Sequence, residues 1–152
     1  MNTKLIKKEV RCAINKFKKF DWNYLSNKNV YEVTLSHRIA VYLENKFDGY
    51  SVDCEYNKSV NDYKIILKRI KIRPDIIIHK RGTSENLCII EIKKASKSSK
   101  KGKNEIERIK NIIKTTELNY KIGIFIGILK NKIDICWIIK NNEKINVDCE
   151  SL

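Results

Sequence analysis

The sequence predicts an α/β fold in which a central mixed sheet is flanked by helices. Apolar residues recur at helical spacing near the N-terminus, between Leu5 and Phe17. Two apolar segments, 73–79 and 87–93, carry polar residues at their ends and flank a short polar turn, as the strands of a hairpin do. A further segment, 120–129, is almost wholly apolar, which is typical of a strand covered on both faces.

The first half of the chain is expected to begin with helices. A lysine-studded amphipathic helix around Leu5–Phe17 precedes an aromatic connector at 20–24. A second helix is expected to end at about Phe47, and alternation then predicts a strand over 50–56. The next apolar segment, 63–70, fits either a strand or a helix, and its pattern does not decide between them.

The second half is expected to complete the sheet. Pro74 suits the first residue of a strand, because its fixed φ and missing N–H are tolerated there. After the hairpin, the polar basic segment 95–103 predicts a mobile loop, followed by a helix over about 104–117. The last predicted strand, 133–139, is assigned to the sheet edge, and the polar residues from Lys140 are assigned to a tail.

Length and charge limit the classes of function. The chain has 152 residues, which suits one domain with a helical addition at 1–28, a core at 29–139 and a tail at 140–152. The formal net charge is +14, from 32 Lys and Arg against 18 Asp and Glu. Such a balance favours a polyanionic partner, although abundant Ile, Lys and Asn also indicate a lysine-rich composition bias.

The cysteines and apolar runs bear on location. Cysteines stand at 12, 54, 88, 136 and 149 without a CxxC pair, so we expect neither a zinc site nor a disulfide framework. A reduced, cytoplasmic environment is the corresponding expectation. The longest apolar run, 122–129, is far too short to span a membrane, and no membrane partner is expected.

Three charged residues of the hairpin carry the chemical argument. Asp75 begins the first strand, and Glu91 and Lys93 end the second, two residues apart and therefore on one face. Antiparallel pairing brings the start of one strand beside the end of the other. Two neighbouring carboxylates repel unless a cation separates them, and their hard oxygens suit Mg²⁺ or Mn²⁺. For any single residue a solvated strand end is the more common explanation, but the combination favours a site.

These residues resemble the signature of the PD-(D/E)XK nuclease superfamily. Pro74-Asp75 followed by Glu91-Ile92-Lys93 matches the motif, and the order of predicted elements matches the restriction-endonuclease-like core, αβββαβ. The resemblance covers roughly Asn29 to Ile139. An extra N-terminal helix and an edge strand would be additions to that core.

The resemblance implies a role for each matching residue. Asp75 and Glu91 would bind Mg²⁺, for which Mn²⁺ would substitute, and Ile92 would contribute its backbone carbonyl. Lys93 would be the catalytic lysine. Glu32, near the start of the first core helix, would assist the metal directly or through water.

The expected activity is hydrolysis of phosphodiester bonds, with DNA favoured over RNA. A set of four lysines after the second hairpin strand is expected to contact the phosphate backbone: Lys97, Lys100, Lys101 and Lys103. Two alternatives are a nucleic-acid-binding module without activity and an accessory subunit of a larger DNA-processing or defence complex. A homodimer is compatible with cutting both strands of a duplex, but no sequence feature requires it.

Overall fold

The structure is a computed structural model. It describes residues 2–26, 29–56, 65–66, 70–115, 118–142 and 144–152. Within these ranges the fold is α/β, with a six-stranded mixed sheet and helices. None of the helices in the described ranges has the length and apolar character needed to cross a membrane.

Four helices are described. Asn2 caps the first of them, because its side chain accepts a hydrogen bond from the Lys4 N–H. The predicted aromatic connector is largely a one-turn helix instead, and the helix after the hairpin begins four residues before the predicted start. Their bounds are α1 Thr3–Phe20, α2 Trp22–Leu25, α3 Glu32–Leu43 and α4 Lys100–Lys114.

The large sheet contains six of the eight strands. Its order is β1-β4-β5-β6-β7-β8, in which β5 and β6 are parallel and the other neighbours are antiparallel. Helix α4 makes the crossover between the parallel strands, as such a connection requires. The bounds are β1 Ser51–Cys54, β4 Ile76–His79, β5 Asn86–Lys93, β6 Ile122–Ile128, β7 Ile133–Asn141 and β8 Lys144–Ser151.

The two remaining strands form a small separate ladder. They are β2 Ile65–Ile66 and β3 Ile70–Lys71, which pair antiparallel. The undecided segment 63–70 therefore contributes strand at 65–66 and at residue 70. Its residues 63–64 and 67–69 lie outside the described part of the chain.

Apolar residues cover both faces of the large sheet. Alternate residues of β5 and β6, such as Ile90 and Ile124, pack with α1 and α3 in one core. The intervening residues, such as Ile89 and Phe125, pack with the α4 stripe around Ile109 in a second core. Each fully buried isoleucine contributes about 1.5–3 kcal/mol. All of β6 is buried, which confirms the expectation for this strand.

The C-terminal residues correct two expectations. Lys144–Ser151 form β8, which pairs along β7, so the polar tail assigned to 140–152 is mostly strand. The strand predicted at 133–139 consequently does not lie at the sheet edge. Ile145, Val147 and Cys149 do alternate with polar residues, as in a strand, but the many exposed polar side chains of β8 favour the interpretation as a tail.

A disulfide joins these two strands, contrary to the expected reduced thiols. Cys136 and Cys149 are directly opposite in the β7–β8 pairing, with Cα atoms 4.1 Å apart, and their sulfurs are bonded. Cys12, Cys54 and Cys88 are free thiols. The pairing depends on the register of β8, which the sequence did not reveal.

Candidate active site

The pairing of β4 with β5 places Asp75 beside Glu91. Ile76 pairs with Ile90, so the preceding and following residues, Asp75 and Glu91, lie opposite each other at one end of the hairpin. Lys93 is two residues beyond Glu91 and therefore on the same face. The structure thus brings the three charged residues of the motif together.

Lys93 lies among three carboxylates. Its Nζ atom is 3.1 Å from Asp75 Oδ2, 3.7 Å from Glu32 Oε2 and 3.9 Å from Glu91 Oε2. Burial by itself would lower the pKa of Lys93, but attraction to Asp75 and Glu91 outweighs burial, and the pKa lies above its usual value. The side chain is therefore an ammonium held at the centre of an acidic group.

Asp75 is held by two donors. Its Oδ2 atom accepts hydrogen bonds from the backbone N–H of Ile92, at 2.7 Å, and from Lys93 Nζ, at 3.1 Å. Ile92 itself is buried among apolar side chains on the α3 side of the sheet. These contacts fix the Asp75 carboxylate against the end of β5.

Glu32 reaches the same group from a different element. It is the first residue of α3, where the positive end of the helix dipole favours an acid. Its Oε1 atom accepts hydrogen bonds from the Lys94 N–H, at 3.0 Å, and from Lys101 Nζ, at 2.6 Å. Burial raises the pKa of Glu32, but these bonds together with the charge of Lys93 bring it below its usual value.

Glu91 is the most deeply buried of the three acids. It is 1% exposed, and its Oε1 atom makes no hydrogen bond with any described residue. Arg108 Nη2 lies 2.5 Å from that oxygen and forms an ion pair with it. Burial raises the pKa of Glu91 to about 8, against the opposing effect of Arg108. Arg108 is therefore the closest cation to this buried carboxylate, and Lys93 lies farther away, at 3.9 Å from the other oxygen.

Two residues of α4 belong to the site but were not predicted. Arg108 contacts both Glu91 and Glu105. Glu105 raises the pKa of Glu91 in turn, so its charge is felt across the site. The available signal was the helical spacing of Glu105, Arg108 and Ile109, which puts both charged residues beside the apolar stripe. The sequence does not reveal how that stripe packs on the sheet, so it does not reveal where the side chains of Glu105 and Arg108 point.

The donor chemistry suits a divalent cation. Asp75, Glu91 and Glu32 present hard carboxylate oxygens, and the pKa of Glu91, raised chiefly by burial, indicates that the nearby cations do not fully offset the cost of burying its charge. Among the described residues, no three acidic, histidine or cysteine side chains are arranged so that they could already hold a metal ion. In this arrangement the ammonium of Lys93 is the cation shared by the carboxylates.

The segment after Lys93 is anchored, not mobile as predicted. The buried Asp134 accepts hydrogen bonds from the Lys97 N–H and the Ser96 hydroxyl, each at 3.1 Å. A Cβ atom at Gly102 would lie 2.0 Å from the Ser96 carbonyl oxygen, so only glycine permits this approach of α4. Close packing and a buried acceptor thus hold the segment, and neither is visible in its polar composition.

The four predicted phosphate-binding lysines have different surroundings. Lys97 Nζ donates to the Ser151 hydroxyl, at 3.3 Å, and Lys101 pairs with Glu32. Lys100 and Lys103 are exposed on the first turn of α4, which begins at Lys100 and not at the predicted residue 104. Only the last two therefore point their whole charge toward solvent.

A second charged cluster lies at the turn end of the same hairpin. Asp53 Oδ2 is 2.7 Å from His79 Nε2 and 2.9 Å from Arg81 Nε, and its Oδ1 contacts the other arm of the guanidinium. The hydrogen bonds of Arg81 have the largest effect and bring the pKa of Asp53 below its usual value. His79 is 3% exposed, so its ring is buried where it contacts Asp53.

No protein-family model, curated protein or solved structure matches the chain.

Proposed function

We propose that the protein is a metal-dependent nuclease that hydrolyses phosphodiester bonds, with DNA as the favoured substrate. The observation that carries the proposal is the convergence of Asp75, Glu91, Lys93 and Glu32 at one end of the β4–β5 hairpin. The order α3, β1, β4, β5, α4, β6, with the small β2–β3 ladder inserted after β1, supports a restriction-endonuclease-like core, because the helices and large-sheet strands follow the αβββαβ order of that fold.

Each residue has a role in this proposal. Asp75 and Glu91 would hold Mg²⁺ or Mn²⁺, together with the Ile92 carbonyl, and Glu32 would assist. A divalent ion at such a site lowers the pKa of its water and neutralises charge on a phosphoryl oxygen. Lys93, as an ammonium among acids, would stabilise the charge that develops on the scissile phosphate.

The surroundings are compatible with a nucleic acid. The net charge of +14 and the exposed Lys100 and Lys103 favour a polyanion near the site. We retain the cytoplasm as the proposed location, and the Cys136–Cys149 disulfide is the observation that weighs against it, since cytoplasmic disulfides are rare.

Cleavage assays test the proposal. Plasmid, linear duplex, single-stranded DNA and RNA would be incubated with Mg²⁺, Mn²⁺ or EDTA. We expect cleavage with either metal and none with EDTA. Asp75→Asn should reduce the rate at least ~10²-fold, as loss of a positioned charged group does. The Ile92 N–H would keep an acceptor in that variant, so the fold should persist.

A matched control is available on the neighbouring strand. Asp53→Asn makes the same chemical change in a carboxylate that also contacts basic side chains. It should retain full cleavage. Nucleic-acid binding without cleavage under any metal condition would instead favour the binding module, and cleavage that needs a second protein would favour the accessory subunit.

A further inference from the structure

A cleft of about 730 Å³ opens next to the candidate active site, on the other face of the sheet. Its walls include Lys94, which directly follows Lys93, and the end of β6 at Ile128 and Leu129. Consecutive residues of a strand point to opposite faces, so Lys93 points to the α4 side and Lys94 to the α3 side. In agreement, Lys94 Nζ donates to the Val30 carbonyl oxygen just before α3, at 2.7 Å.

The cleft combines an aromatic ring, apolar surface and positive charge. Trp22 forms one wall and meets the ring of Phe17 edge-on, with centroids 6.5 Å apart. Leu129 supplies apolar surface, and Lys94 and Lys130 add ammonium groups. Nucleic-acid strands are bound by this combination, in which aromatic rings stack on bases and basic groups follow the backbone. The volume lies within the range of small-ligand pockets.

The position of the cleft relates it to the strand that would be cut. Lys94 joins the two places, because its N–H donates to Glu32 of the candidate active site while its side chain lines the cleft. A strand that crosses the end of β5 with a phosphate at Lys93 therefore passes the side of the cleft formed by Lys94. A base in a continuous duplex is paired and stacked, and removing it from the stack costs free energy.

We propose that this cleft binds an unpaired nucleobase of the strand whose phosphate lies at Lys93. The preferred substrate would then contain unpaired nucleotides, as in a single strand, an overhang or a flap, and not only continuous duplex. This inference rests on the nuclease function proposed above. It adds a binding site in which Trp22 contacts the base and Lys130 contacts the flanking phosphate.

Binding to matched strands tests the inference. A labelled oligothymidylate, the same strand with abasic sites throughout its central part, and a duplex would be titrated in EDTA, which prevents cleavage. We expect the wild-type protein to bind the intact strand roughly 5- to 100-fold more tightly than the abasic strand, the range for stacking of one base. Trp22→Leu should abolish this ratio while leaving affinity for the abasic strand unchanged. Trp22→Phe should retain it, because a stacking ring remains.

A lysine pair provides a control for charge. Lys130 and Lys121 are both exposed and flank opposite ends of β6. Lys130→Gln should weaken binding of both strands, whereas Lys121→Gln should leave both unchanged. Circular dichroism of each variant would establish that the fold is intact.

The outcomes separate this inference from the function on which it rests. Equal affinity of the wild-type protein for intact and abasic strands overturns the nucleobase site, even in a protein that cleaves with Mg²⁺. A preference for the intact strand that survives in Trp22→Leu also overturns it, because the base would then be bound elsewhere. Absence of binding to every probe, together with absence of cleavage, removes the nuclease proposal as well.

Discussion

The two ends of the β4–β5 hairpin both hold an acid next to basic side chains, but they neutralise it to different degrees. At the turn end, both oxygens of Asp53 contact Arg81 and one also meets His79. At the open end, Glu91 is buried, with Arg108 against one oxygen and Lys93 3.9 Å from the other. The two pKa values move in opposite directions, because the hydrogen bonds of Arg81 lower that of Asp53 whereas burial raises that of Glu91.

The comparison separates a cluster whose acid is fully partnered from the cluster for which we propose a chemical role. A carboxylate with complete partners stabilises the fold and needs nothing further. A buried carboxylate with incomplete partners lowers stability unless another cation arrives, and such groups concentrate at functional sites. Two clusters of similar composition, each an acid next to basic side chains, can thus be given different proposed roles on the basis of their burial and hydrogen bonding.

The largest expected effect separates the two ends by activity. Lys93→Ala should reduce the cleavage rate at least ~10²-fold, because the developing charge on the phosphate loses a positioned ammonium. Arg81→Ala removes a cation from the other end and should leave the rate within about twofold. Single-turnover cleavage at saturating Mg²⁺ measures both, and equal rates in wild type and folded Lys93→Ala would end the proposed role of this lysine.

The next prediction concerns stability against pH in the metal-free protein. The pKa of Glu91 is raised from 4.5 to about 8 on folding, so its contribution is fully present below pH 4.5 and is lost as pH rises through about 8. The free energy of unfolding should fall by about 1 kcal/mol or more across this window, since each pKa unit between the two states is worth about 1.4 kcal/mol. Glu91→Gln should flatten that decline, as measured by urea denaturation from pH 5 to 8.

Asp53 provides the contrast on the acid side. Its pKa is lowered from 3.8, so its contribution is present above that pH and is lost as pH falls below it. In Asp53→Asn, the free energy of unfolding should fall less steeply as pH drops below 3.8. Above pH 5, its dependence on pH should have the same shape as in the wild-type protein. A decline toward pH 8 that persists in Glu91→Gln would assign the effect to another group.

The smallest expected effect concerns nucleic-acid affinity. Lys100→Gln with Lys103→Gln should weaken binding of unrelated sequences alike and should flatten the plot of log affinity against log salt. On duplex DNA the slope should change by roughly 0.9 for each phosphate that is no longer neutralised by a lysine. Lys80→Gln with Arg81→Gln makes the same charge change at the turn end and should leave the slope unchanged. An equal change in slope for both double variants would mean that nucleic acid contacts the turn end of the hairpin as much as the first turn of α4.

The relation of Asp75 to Glu91 and Lys93 could be predicted because it follows from strand alternation and from the direction of a hairpin. The contribution of Arg108 could not, because the rotation of α4 over the sheet is set by the packing of Ile109 and its neighbours. Helical spacing identifies a face but not what that face meets.

The segment around Lys97 shows a similar limit. Polar composition predicted mobility, whereas a buried acceptor on β7, Asp134, determines its order. Strand β8 was missed although Ile145, Val147 and Cys149 alternate with polar residues, because its high polar content favours a tail; its place beside β7 is visible only in the pairing.

Strand β8 also bears on how the protein avoids unwanted self-association. It pairs along the whole of β7 and so covers the backbone edge of β7. A foreign strand that approaches from this side meets the outer edge of β8 instead. Exposed charged side chains stand along it, including Asp148, which pairs with Lys7 of α1, and burying them beneath another chain would be costly. The bond between Cys136 and Cys149 keeps this charged strand in register. β8 therefore protects this edge of the sheet against aggregation, and we expect reduction of the disulfide to weaken that protection.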